Sequence, residues 1–98
     1  MPFAPEQVPL FLAVLDTGSF SAAARKLGRV PSAISMAIGQ LEDELGIRLF
    51  ERTGREPQPT AAALALEPQA RLLAQQLQQL NQQATALHEG LEKRLTLA

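Results

Sequence analysis

Apolar residues recur at helical spacing near the start of the chain. Val8, Phe11, Leu12 and Leu15 share one face and predict a helix over 6–16. Pro9 is tolerated only in its first turn, and Gly18 stops it. A shorter helix follows over 21–27, with Ser19 or Ser21 able to accept from an orphan backbone amide. Ala22, Ala23 and Ala24 let another helix approach closely, and Gly28 ends the run. Pro31 suits the first position of a third helix, which spans 31–45 before Gly46. Ala33, Ile34, Ile38, Leu41 and Leu45 make its inner face. Ser32, Ser35, Met36, Gly39 and Gln40 are left outside, where a solvated helix usually carries Glu and Lys.

Leu49 and Phe50 then suggest a short strand, and residues 52–55 (Arg, Thr, Gly, Arg) a tight turn. Pro57 and Pro59 fit a short edge strand returning to Thr60. Three helices and a hairpin in this order give a mainly all-α winged helix-turn-helix over 1–59. Thr60 suits the N-cap of a long last helix, a linker and dimerisation segment over 60–90. Leu66, Ala70, Leu73, Leu77, Leu80, Ala84, Leu87 and Leu91 advance in alternating steps of four and three, the seam of a coiled coil. Thirty helical residues span roughly 45 Å, too long to bury that seam against the small domain beside it. Pro68 is expected to bend the helix near its start. Leu95, Thr96 and Leu97 alternate as a strand does, so 91–98 is expected to be a hinge and the start of a further domain.

Composition narrows the class. The 98 residues suit one domain with a modest core, and a partner chain would add to its stability. Four Phe are the only aromatics, and Leu and Ala favour helical packing. No cysteine is present, which excludes disulfides and thiolate metal sites and fits a reducing compartment. The apolar run over 8–15 lacks a preceding basic residue and ends at Asp16, unlike a signal peptide. No run approaches the ~18 apolar residues of a membrane span, so the expected location is the cytoplasm.

The net charge of −1 counts against a nonspecific nucleic-acid binder. Its distribution matters more: Arg25, Lys26, Arg29, Arg48, Arg52 and Arg55 are close in sequence, interrupted by Glu42, Asp43 and Glu44. Adjacent helical carboxylates point apart, so those three are not a catalytic pair. His88, the sole histidine, has no Cys or Asp nearby and is expected to be an exposed helix residue. No phosphate-binding loop, dinucleotide motif or metal-ligand spacing occurs. No enzyme, cofactor or metal is expected.

Residues 11–60, FLAVLDTGSFSAAARKLGRVPSAISMAIGQLEDELGIRLFERTGREPQPT, carry a resemblance. Phe11, Ala13, the Gly18-Ser19-Phe20 triplet, Ala23, Ala24 and Leu27 fit the DNA-binding domain of LysR-type transcriptional regulators. So do Ser32, Ala33, Ser35, Ile38, Leu41, Glu42, Leu45, Gly46, Leu49, Phe50, Arg52 and Thr60. Pro68 and Arg71 match that family's linker helix. The resemblance implies a sequence-specific regulator of double-stranded DNA, acting as a homodimer on a partly palindromic promoter site. It implies antiparallel pairing of linker helices, a tetramer in the full-length protein, and a small-molecule effector bound by a C-terminal domain entered near Leu95.

On this reading the third helix enters the major groove, and its small outer face lets it approach the bases. The DNA-facing candidates are Ser21, Val30, Pro31, Ser32, Ser35, Met36, Gly39, Arg52, Thr53 and Arg55. Ser32 and Ser35 can hydrogen-bond bases or phosphates, and Met36 can touch a thymine methyl. The resemblance makes Arg55 a minor-groove arginine and Arg52 a wing or phosphate contact. The chain departs from the family at Val30-Pro31, where Ser or Thr then Gln is frequent, and at Met36, Gly39 and Glu56, where basic residues are frequent. Weaker, more salt-sensitive or more shape-dependent binding is therefore expected. The alternative is a dimerisation or interaction module with weakened DNA binding.

Overall fold

The computed structural model describes residues 3–97. Its elements run α1 (Gln7–Thr17), α2 (Phe20–Leu27), α3 (Pro31–Leu45), β1 (Phe50–Glu51), β2 (Gln58–Pro59) and α4 (Ala61–Leu97). The two strands pair antiparallel, Phe50 opposite Pro59 and Glu51 opposite Gln58. The first three helices lie as expected within one residue at each end. The tight turn is instead a six-residue wing loop, 52–57, anchored by the buried Pro57.

The core forms around α1. Val8 and the run from Leu10 to Val14 are buried, so α1 is covered on more sides than its single predicted face. Leu10, Ala13 and Val14 already make this helix apolar most of the way round, the mark of a central helix. Ala23 and Ala24 of α2 are fully covered, and Ile34, Ile38 and Leu41 of α3 are each 0% exposed. Ala33, expected inside, is exposed; it lies one residue, about 100° of helix, ahead of Ile34. Phe11 and Phe50 bring α1 and the wing together, their ring centroids 6.0 Å apart.

Local signals set the helix ends. Ser19, not Ser21, caps α2: its hydroxyl accepts from the Ala22 amide at 3.1 Å. Gly28 takes φ +69° at the turn between α2 and α3, a left-handed conformation cheap only for glycine. Its neighbour Arg29 then returns an amide bond to the Ala24 carbonyl at 2.8 Å. Thr60 caps α4, accepting from the Ala63 amide at 3.2 Å, while its hydroxyl donates to the Arg48 carbonyl at 2.7 Å.

The helix α4 continues for 37 residues, roughly 55 Å at 1.5 Å per residue. The strand expected at Leu95–Leu97 is helical instead. Leu91, Glu92, Lys93 and Arg94 are good helix formers, and extending an existing helix is favourable where starting a lone strand is not. Ala98, the end of that segment, and Met1 and Pro2 lie outside the described residues. Of the predicted seam, Ala70 is buried in the domain core and Leu66 packs half-buried against it. From Leu73 onward the seam leucines stand exposed: Leu73, Leu77, Leu80, Leu87 and Leu91.

Glu42 is the one buried charged side chain among the described residues, 8% exposed. Its Oε2 accepts the amides of Leu49 at 2.8 Å and Phe50 at 3.1 Å, and Arg52 donates to its Oε1 at 3.3 Å. Glu42→Ala strands those amides and the Arg52 charge. With an unsatisfied buried group costing ~1–3 kcal/mol, urea unfolding should show a loss of ~3 kcal/mol, and Glu42→Gln a smaller one.

A second polar cluster joins α1 to α4. Arg71 donates to Asp16 Oδ1 at 2.7 Å and, through Nε, to Glu67 Oε2 at 2.8 Å. The hydrogen bond from Arg71 holds the Asp16 carboxyl below its ordinary value of 3.8, outweighing partial burial. A carboxyl depressed in the folded state adds stability above its unfolded pKa and loses it as pH falls through the folded one. Melting temperature should therefore drop below about pH 4, and Asp16→Asn should flatten part of that drop.

Candidate nucleic-acid interface

The outer face of α3 is built by elimination: Ile34, Ile38 and Leu41 bind it to α1 and α2, and what remains faces out. Val30 at 61% and Met36 at 70% are among the most exposed apolar side chains. Pro31, Ser32 and Ala33 are exposed beside them, and Ser35 and Gly39 are half-buried. From Val30 to Gly39 this face carries no charge, with Val30 and Met36 its bulky apolar residues; Gln40 and Asp43, both exposed, continue it toward the C-terminal end of α3.

The start of α3 is open. Val30 occupies the N-cap position with extended backbone and no side-chain cap, and Pro31 carries no amide hydrogen. The Ala33 amide bonds the Val30 carbonyl at 3.1 Å, so the Ser32 amide is the first-turn donor left for an outside acceptor such as a phosphate. Val30, a poor cap residue by its side chain, is the sequence signal of this opening.

The wing brings other candidates to the same surroundings. Arg55, Glu56 and Pro57 line a depression of about 410 Å³ with Ser19, Phe20 and Ser21, so Ser21 and Arg55 share one concavity although 34 positions separate them. A second hollow, about 430 Å³, is lined by Gly39, Glu42 and Asp43 of α3 together with Arg48 and Arg52, so acid and base face each other there. Thr53 and Arg55 are exposed at the wing tip.

Arg52 differs from its expected role. It turns back to Glu42 and stacks over the Phe20 ring, 5.1 Å from its centroid. Its guanidinium ties the wing to α2 and α3, and its side chain is 33% exposed. Arg25, Lys26 and Arg29 form an exposed rim at the end of α2, where cations complement the helix dipole.

An open helix start, a tight helical pair behind it and an anchored two-stranded wing define a winged helix-turn-helix of the DNA-binding class. The family model described as "Bacterial regulatory helix-turn-helix protein, lysR family" matches residues 5–64. HTH-type transcriptional regulator AceR of Acinetobacter baumannii is 55% identical over 92 residues, covering 94% of this chain and 31% of AceR. PunR of Escherichia coli is 41% identical over 86 residues, covering 88% of this chain and 28% of PunR. The chain therefore spans less than a third of the length of these relatives.

Two solved complexes share the fold. The BenM DNA-binding domain with benA site 1 DNA has a TM-score of 0.77 at 30% identity, covering 84% of this chain and 92% of that one. The CbnR DNA-binding domain with DNA has a TM-score of 0.75 at 31% identity, covering 88% and 97%. The chain belongs to the lysR family of bacterial regulatory helix-turn-helix proteins.

The open cap makes a direct prediction. Val30→Ser supplies the missing acceptor, and a cap of this kind is worth ~1 kcal/mol. Chemical denaturation should register a gain of about that size.

Proposed function

We propose that this chain binds a partly palindromic promoter site as a homodimer, with one α3 in the major groove of each half-site. The observation that carries this is the exposed, uncharged N-terminal part of α3's outer face, from Val30 to Gly39, beside an arginine-bearing wing. It is supported by the fold shared with the BenM and CbnR domains in complex with DNA. Ser32, Ser35 and Met36 are the base-reading candidates, with Gly39 permitting close approach. Val30 and Pro31 border the open helix start, where a phosphate would sit. Ser21 is a backbone contact, Arg55 and Thr53 the wing contacts, and Arg52 acts chiefly by holding the wing.

The exposed leucines of α4 from Leu73 to Leu87, with Ala84, support a coiled-coil interface with a second copy. Leu66 and Ala70 support it indirectly, by seating the helix on its own domain. Effector binding and a dimer of dimers, within a longer regulator of the AceR kind acting in the cytoplasm, belong to the same proposal. No enzymatic role is assigned. With few charged readers on α3, discrimination rests on apolar contacts and on DNA shape.

The test is a fluorescence anisotropy titration of labelled duplex from upstream of the protein's own gene, against a scrambled duplex, at two salt concentrations. Tighter binding to the native duplex is expected; equal or absent binding to both by a folded dimer would favour the interaction-module reading. Arg55→Ala should weaken binding and reduce the salt slope by about 1, with the dimer intact by light scattering. Leu77→Glu should yield monomers at micromolar concentration, and a persisting dimer would refute the seam.

A further inference from the structure

The helix α4 carries Pro68 inside its length. Proline has no amide to give the carbonyl one turn earlier, so the helix is locally softened there. Glu67 precedes this joint and Arg71 follows it. Arg71 binds Glu67 across the joint at 2.7 Å and Asp16 of α1 at 2.7 Å. Lys26 of α2 reaches the other oxygen of Asp16 at 3.8 Å.

Asp16 sits where local rules disfavour it. It lies in the last turn of α1, which has no basic residue of its own, against the negative end of the helix dipole. Its compensating charges come from α2 and α4. The apolar contacts around the joint are half-buried Leu66 before it and Ala70 with half-buried Ala74 after it. Past the proline only these two methyl groups seat the helix, so the apolar packing alone leaves its direction loosely set. We propose that Arg71 is a positioning residue: with Asp16 and Glu67 it splints the proline joint and fixes the angle at which α4 leaves the winged domain. Resting on the dimeric reading above, that angle sets the separation of the two α3 helices and so the half-site spacing the dimer accepts.

Leverage makes the angle matter. From Arg71 to Leu91 the helix extends roughly 30 Å. A 10° change at the joint moves its far end by about 5 Å, more than the ~3.4 Å of one base-pair step. Exposed ion pairs contribute only modestly to stability, so the angle of α4, not the melting temperature at neutral pH, is the quantity that reports the splint.

The chain has no cysteine, so labels can be placed freely. Glu44→Cys and Gln83→Cys, both exposed positions, would carry spin labels, and excess unlabelled protein would leave one labelled copy per dimer. Pulsed dipolar spectroscopy should give one narrow distance in the parent. Arg71→Met and Asp16→Asn should broaden it at least twofold, with Arg71→Lys intermediate and melting temperatures within a few degrees. An unchanged width would overturn the splint. Duplexes selected from a random library would then be re-spaced by one base pair. The parent's preference should be at least tenfold and fall below threefold in Arg71→Met. Equal weakening on every spacing, or a collapse in melting temperature, would mean a merely structural role and overturn the proposal. A parent that selects no duplex would sink the DNA reading, while the label distances still decide the splint.

Discussion

One buried carboxylate holds the reading surface together. Glu42 belongs to α3, yet both of its oxygens are spent on the wing, on the Leu49 and Phe50 amides and on Arg52. A two-stranded ribbon of two residues per strand cannot stand alone. Here its backbone is pinned to the helix beside it and its first aromatic, Phe50, is sunk against Phe11. The wing tip inherits a fixed place relative to α3. Arg52 extends the same arrangement to α2 through the Phe20 ring, so three elements move as one body.

Behind that body lies a second level of organisation. Thr60 joins the wing to α4 through the carbonyls of Arg48 and Leu49, and Asp16 joins α4 back to α1 and α2 through charges. The long helix is therefore tied at its root by directional polar contacts, while its first apolar residues fill the domain core. Along its remaining length the leucines face outward. The protomer, some 63 Å along its longest axis, is a winged head on a long helical lever.

Much of this was legible in the sequence because it is local. Proline at the start of α3, glycines after α2 and α3 and an apolar period near 3.6 mark helices whatever surrounds them. Twenty positions that fit LysR regulators, spread over a fifty-residue stretch, then supported the same topology. What escaped were facts that depend on partners distant in the chain. Periodicity could not choose between Ser19 and Ser21 as the cap, since both hydroxyls are in reach of an amide. It could not foresee that α1 is covered by three helices, nor that Arg52 prefers a buried carboxylate and a ring to solvent. The Asp16–Arg71 pair, 55 residues apart, leaves no periodic trace. The alternation at Leu95–Leu97 misled because three residues carry too little pattern to outweigh a helix already running.

The bare half of α4 has a consequence for the life of the molecule. From Gln75 to Glu92 every side chain of the helix is exposed; backbone bonds and short-range side-chain pairs, such as His88 with Glu92, support it there. Helices without tertiary support are marginal in water, and frayed segments are where proteases cut first. An unpaired copy thus presents a cleavable stretch of helix, while pairing along the leucines would conceal it. Turnover of such a protein would be set by its own abundance: scarce copies are trimmed, and plentiful ones shelter each other.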